Sequence, residues 1–552
     1  MPNRSRKVIP SVMLETTICF VMLLLLFACS QETYQTYTLS PSGQNRRVIT
    51  ESTVDGDWHL TAKISSDDSA STVRLFFAAN EDLSQRIYWE LTPETLKLHR
   101  VARGEIKQLR TEKFKPGSSP WRISMLKRGA YTILQVNDSH AATAMHISGD
   151  IDYLAGGGVL GNEPIAAAFG IEAVSTSLTI DHFQIDAGTW SPKLPEQPIM
   201  NFGETEWTKG QIFPGAILEV ENGKAYQDKS GYYYMYVNGS DVKSRKQESG
   251  GIVRIGVAKS LDLHNWELGN NKEFLLEGSQ DQWDETSIMA NGALIEPDGK
   301  ITMSYMGWSK AIGKWSGVGL ASAKDPEGPF TKYGDPVLPT GDSTQFDGVH
   351  IHEHHLTKIE NQYVCIYTGH NFSVYGGDHI GIAYSDDLIH WTKESKNPVM
   401  APSQVLNKSA GKMWDDDHIR GRDLKKIGDY YYLLYEGAMG ENNRADMPTH
   451  YWDSIGLARS KSLTGPWERH PLNPIIPQQT GDRFDSIWTG WPRTVIKENQ
   501  VYIFYAAGSN RFAENPHRAS VGLRIVPLDH YTSWSDEFGT KTKQKISFIV
   551  TE

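Results

Sequence analysis

One pattern limits what this chain can become more than any other, and it occurs five times. The segments "RIGVAKSLDLHNW" (254 to 266), "GVGLASAKDPEGPF" (317 to 330), "HIGIAYSDDLIHW" (379 to 391), "SIGLARSKSLTGPW" (454 to 467) and "SVGLRIVPLDHYTSW" (520 to 534) place a glycine at 256, 319, 381, 456 and 522. Two apolar, alternating stretches precede each copy, as in "HHLTKI" then "QYVCIYT", or "RDLKKI" then "DYYYLLYE". Each unit therefore offers three strands, with room for a fourth after the turn that follows. A four-stranded sheet has two apolar faces and cannot cover both alone, so such units stack until the ring closes. The expectation is all-β: a five-bladed β-propeller from 200 to 552.

The remainder reads differently. Residues 49 to 190 alternate over short runs such as "DWHLTAKI" and "STVRLFFAA" without a helical period, the pattern of an antiparallel β-sandwich. Its closing "GIEAVSTSLTIDHFQID" resembles the last strands of concanavalin-like domains attached to carbohydrate-active enzymes. At the N-terminus, Arg4, Arg6 and Lys7 precede "TTICFVMLLLLFA", an apolar run too short to span a bilayer comfortably. The run ends in "LFACS", which resembles the bacterial lipobox. That resemblance implies a signal peptide over 1 to 29, lipidation at Cys29, a polar tether over 30 to 48 and a lipid-anchored place in the bacterial cell envelope, at the outer membrane or periplasmic face. A plain signal peptide or an uncleaved anchor is the alternative.

Composition removes several functions. The formal charge is −11 and no basic stripe is present, which excludes a nucleic-acid partner. Of three cysteines two lie in the N-terminal run, so no disulfide framework or cysteine metal site can form. Cys365, between Val364 and Ile366, reads as a small buried hydrophobe.

The phrases "IGIAYSDDLIHW" and "EHHLTKIENQYVCIYTGH" resemble blades of the five-bladed glycoside hydrolases, the group holding families 43, 32, 117 and 130. The resemblance implies hydrolysis of glycosidic bonds in a poly- or oligosaccharide, in a funnel that favours a chain end. Aligning the first strands on Ile217, Leu294, Leu356, Leu424 and Val495 puts Pro214, Asn291, Glu353, Gly421 and Pro492 three residues earlier. In family 43 blades one to three supply a base aspartate, a second aspartate and an acid glutamate there. Only Glu353 matches; Pro214 and Asn291 depart from the pattern.

Glycosidic cleavage needs a proton donor and a facing carboxylate. Glu353 is the first candidate, and Asp417 of "MWDDDHIRGRD" and Glu436 of "LLYEGA" are candidates for the second. His352 and His354 are candidate proton donors or charge partners of Glu353. His350, His352 and His354 alternatively share one strand face, on which imidazoles converge on a metal, His350 above all. Strict alternation would then turn Glu353 the other way, unless the strand starts irregularly.

Arg420, Arg422 and Arg493 offer guanidinium forks for a uronate or sulfated sugar, or pair internally with aspartates. Trp308, Trp488 and Trp491 offer stacking faces, and His370 and Asn291 further substrate contacts. No cofactor is required, although a structural divalent cation such as Ca2+ has a place in the channel. A non-catalytic glycan-binding lipoprotein and a metal-dependent polysaccharide lyase are the competing functions. Trp283-Asp284, Phe346-Asp347, Trp414-Asp415 and Phe484-Asp485 recur once per blade and read as structural turns.

Overall fold

In the computed structural model the described residues are 35–42, 46–50, 57–79, 86–102, 105–145, 169–191, 195–241, 252–309, 314–403, 413–439, 453–479, 483–508, 518–541 and 548–551. The expected signal peptide and Cys29 lie outside them.

Two antiparallel sheets form the sandwich. One runs Gln35–Leu39, Leu178–Thr189, Asp57–Ser65, Trp121–Arg128, Tyr131–Val136, Ser139–Met145. The other runs Phe548–Thr551, Arg47–Thr50, Gly170–Ala173, Val73–Ala79, Arg86–Leu91, Leu96–Ala102, Glu105–Thr111. Their inner faces bury Trp58, Trp89 and Trp121 with Leu60, Ile64, Leu75 and Ile180.

Two boundaries are corrected here. The expected tether contains a strand, because alternation in "QTYTL" buries Leu39 against Leu178–Thr189. The chain also does not end in the propeller: Phe548–Thr551 pairs with Arg47–Thr50, and Thr540–Lys541 with Leu178–Thr189.

The propeller has five blades. Blade one is Gln211–Glu219, Tyr233–Ser240, Val253–Ser260 and Glu267–Leu268; blade two is Ser287–Ile295, Ile301–Ser309 and Lys314–Ala323 with short outer strands. Blade three is His350–Ile359, Gln362–His370, Asp378–Ser385 and Thr392–Lys393, and blade four is His418–Ile427, Tyr430–Ala438, Ser454–Ser460 and Glu468–Arg469. Blade five has Trp488–Lys497, Gln500–Gly508 and Ser520–Pro527, and its outer edge bonds to Met200 from before blade one, which closes the ring.

The repeated sequence features explain this geometry. At Gly319 an added Cβ would lie 2.6 Å from Trp283 and 2.7 Å from Tyr305, so the aromatic ring before strand one lies flat on the glycine of strand three. Phe346 covers Gly381, and Trp414 covers Gly456. The following aspartate ties the blade: Asp347 accepts from the Tyr367 hydroxyl (3.1 Å) and Lys393 (2.6 Å), Asp415 from Tyr435 (3.0 Å) and Arg469 (2.7 Å), and Asp485 from Tyr505 (3.2 Å). The four aspartates are structural. Blade one uses Trp207 against Gly256, with Thr208 in the aspartate position.

The sandwich is bonded to blade four. Arg128 bridges Asp57 (3.1 Å) and the Ile475 carbonyl (3.1 Å), and Tyr131 meets Ser454 (3.2 Å) and Gln478 (3.3 Å). Gly129, at φ +49°, sits where any side chain would strike the Gln478 carbonyl.

Candidate active site

Every first strand breaks register at the same point, between Pro214 and Ala216, Ala290 and Gly292, Ile351 and His354, Gly421 and Asp423, and Gly490 and Arg493. A β-bulge leaves residues out of the ladder and re-aims their side chains. In blade three these are His352 and Glu353, in blade four Arg422, and in blade five Trp491, at φ 47°. The irregular start that Glu353 needs is thus present, and it resolves the conflict with strict alternation.

One network joins these residues. Glu353 Oε2 abuts His352 Nδ1, while Oε1 lies 3.2 Å from Arg422 and 3.9 Å from Arg420. Arg422 also holds Glu436 at 2.7 Å, so these two carboxylate oxygens, at 3.2 and 2.7 Å from one nitrogen, are at most 5.9 Å apart. The Trp491 ring caps the Arg422 guanidinium at 4.4 Å, and its amide donates to Glu436. Arg420 donates to Asp378 at 2.9 Å and reaches Asp453 at 3.5 Å. His418 bridges Asp453 (3.0 Å) and Asp417 (2.9 Å), and His370 bonds Asp378 at 2.5 Å.

Electrostatics divides the imidazoles. Burial lowers His352 to about 4 despite Asp378, leaving it neutral at pH 7. Burial and Arg420 also push His418 down, but Asp453 and Asp417 outweigh them and raise it to about 9. Burial alone would raise Asp378, yet His352 and Arg420 hold it well below the usual carboxylate range.

Several sequence candidates have other duties. Glu436 is completely buried and clamped by Arg422 and the Trp491 amide, so it positions rather than reacts. His354 is buried against Ser304 at 3.0 Å, with burial lowering it to about 3, and is no proton donor to substrate. Arg493 and Asn291 are core residues. From blade five Arg493 donates to the carbonyls of Gly215, Asn291, His354 and Arg422, and Asn291 Oδ1 also accepts from it at 3.3 Å. Neither can contact a glycan. Trp488 is buried edge-on to Trp491, which it supports. Trp308 stands half-buried at the rim of blade two, opposite Ser287. His350 lies at the mouth of blade three, its ring 5.3 Å from that of His370.

Three residues were missed: Asp378, Asp453 and His418. Asp378 and Asp453 each stand three positions before a repeat glycine, Gly381 and Gly456, where the other blades have Val253, Ser316 and Ala519. Aligning third strands as well as first strands would have found them. His418 opens its strand as His350 opens the corresponding one in blade three.

Two groups have metal-ligand chemistry: His352, His370 and Asp378 at the mouth, and Glu219, His355 and Asp423 in the channel. In the channel group the Lys425 ammonium already bonds Glu219 and lies 3.5 Å from Asp423, and His355 Nδ1 accepts from the Leu424 amide. That ammonium already serves as the cation for both carboxylates.

A sequence model described as glycosyl hydrolases family 43 matches residues 221–526. No curated protein matches the chain. Similar solved structures include a glycoside hydrolase at 17 % identity (62 % of this chain, 92 % of that one, TM-score 0.45) and a thermostable family-43 glycoside hydrolase at 18 % (62 %, 100 %, 0.42). A third is a putative glycosidase from Bacteroides thetaiotaomicron at 16 % (61 %, 96 %, 0.43). The family match spans more than half of the sequence and contains the whole network around Glu353, and by it the chain belongs to glycosyl hydrolases family 43.

Proposed function

We propose that this glycoside hydrolase removes sugars from a chain end, with Glu353 as proton donor and Asp417 as the carboxylate that activates water. The observation that carries the reading is the placement of Glu353 on a bulge at the channel mouth, in contact with a neutral imidazole. The carboxylates of Glu353, Asp378, Glu436, Asp453 and Asp417 gather around Arg420, Arg422 and protonated His418. The neutral His352 imidazole abuts Glu353 and is positioned to relay a proton to and from it.

Asp417 is the more open carboxylate, with about a third of its side chain exposed (30 %), and it is held by His418. The remaining mouth-lining groups, Trp491, His350 and His370, supply a stacking face and hydroxyl partners for a terminal sugar. An anionic substrate is not favoured: Arg422 and Arg493 are fully buried and Arg420 is divided between Asp378 and Asp453. The reaction drawn here needs no cofactor. Anchoring in the cell envelope through Cys29 belongs to the same proposal and rests on the "LFACS" resemblance.

The test is product analysis on end-labelled neutral oligosaccharides. Chain-end action releases one product size from one end throughout the reaction. A ladder of internal fragments contradicts it, and activity confined to sulfated or uronic oligosaccharides contradicts the neutral substrate.

A further inference from the structure

We propose that the mouth of blade three is a binding site for one divalent transition-metal ion, with His352, His370 and Asp378 as ligands and His350 beside them. The ligand atoms of the three residues lie within 4.8 Å of one another. Around a tetrahedral ion with metal–nitrogen bonds of about 2.0–2.1 Å, imidazole centroids stand ~5.2 Å apart and ligand atoms ~3.4 Å apart. The His350 and His370 rings are 5.3 Å apart, and His352 lies 6.4 and 6.5 Å from them. His352 Nε2 and Asp378 Oδ1 are 3.7 Å apart, already near the ligand spacing. His370 and Asp378, at 2.5 Å, are held closer by a hydrogen bond that the ion would replace.

The outer contacts suit a metal site independently of the inner ones. Metal-bound histidine generally directs its second ring nitrogen at a carboxylate, and bound carboxylates are themselves hydrogen-bonded. Here the second nitrogen of His352 meets Glu353, and the second oxygen of Asp378 accepts from Arg420 Nε at 2.9 Å. Two or three imidazoles with one carboxylate select zinc, copper, nickel or cobalt over calcium or magnesium. The channel group of similar composition is filled by Lys425, whereas no ammonium reaches between these ligands among the described residues. His370 is 29 % exposed, so an ion has an approach from the cup and keeps a coordination position toward it.

The site adds to the hydrolytic network rather than serving it. An ion on His352 engages the partner of Glu353, so bound metal slows hydrolysis. That consequence rests on the proposed role of Glu353, but the binding itself does not.

The experiment measures binding without substrate. The full chain, stripped with chelator and desalted, is titrated with Zn2+ by calorimetry and with Co2+ by visible absorption. The expected result is one ion per chain with a Kd of micromolar or tighter and an intense tetrahedral Co2+ band. His370→Ala and His352→Ala each weaken binding at least tenfold, with an unchanged melting temperature for His370→Ala. His390→Ala, at an exposed turn, leaves binding unchanged. Absence of binding, wild-type affinity in His370→Ala, or an equal loss in His390→Ala overturns the proposal. Zinc binding that leaves hydrolysis untouched refutes only the consequence for Glu353.

Discussion

Replacing Arg493 with methionine tests how the ring is held at its centre. The guanidinium is completely buried, and each hydrogen bond described for it goes to a carbonyl oxygen, on residues from all five blades. Methionine fills much of the volume but orphans the acceptors of blades one to four. A buried acceptor without a partner costs about 1–3 kcal/mol, so four give a gross loss of ~4–12 kcal/mol. Part is recovered, because Arg493 is itself uncomfortable: burial lowers it to about 10 despite Asp423 nearby. A net loss of ~3–5 kcal/mol remains, which in a propeller of about 350 residues is ~4–7 °C in Tm. Calorimetric melting of Arg493→Met and Arg493→Lys reads it, with the lysine variant intermediate because it restores some donors. A Tm within about 2 °C of wild type for Arg493→Met would show that the carbonyls do not depend on this residue.

Other outcomes follow from named contacts. Gly319→Ala pushes a methyl into Trp283 and Tyr305 and should cost ~1–3 kcal/mol in urea unfolding, whereas Gly299→Ala, with open space around it but φ +82°, should cost less. Lys425→Met leaves Glu219 and Asp423 buried without their cation, an expected loss of ~3–5 kcal/mol that Glu219→Gln in the same chain partly reverses; additive losses would contradict the pairing. His418 is raised from its ordinary 6.5 to about 9, so its contribution is complete below pH 6.5 and disappears as pH rises through 9. Wild type should therefore lose up to ~3 kcal/mol across that window, and His418→Asn should show a flatter profile; parallel profiles would remove His418 from the account.

The architecture was legible because a blade needs identical devices five times. The glycines of the third strands and the aromatic residues before the first strands are two halves of one contact, and both stand out in the repeat. The position of Glu353 in the first strand of blade three was legible for the same reason. Arg493 misled because a rim arginine and a channel arginine differ by the bulge between Gly490 and Arg493, which alternation does not reveal. Asp378 and Asp453 were hidden by attention to first strands alone. Long-range pairing was least visible: nothing local in "FIVT" says that it returns to "RVIT", some five hundred residues away.

The measurement closest to the central claim is turnover by Glu353→Gln on an oligosaccharide that the wild-type chain cleaves. The amide keeps the size and an oxygen beside Arg422 but cannot donate the carboxylic proton. The account predicts that kcat falls at least ~10³-fold, with the melting temperature and substrate affinity nearly unchanged. Turnover within tenfold of wild type in a folded Glu353→Gln chain would remove Glu353 from the chemistry and with it the proposed mechanism.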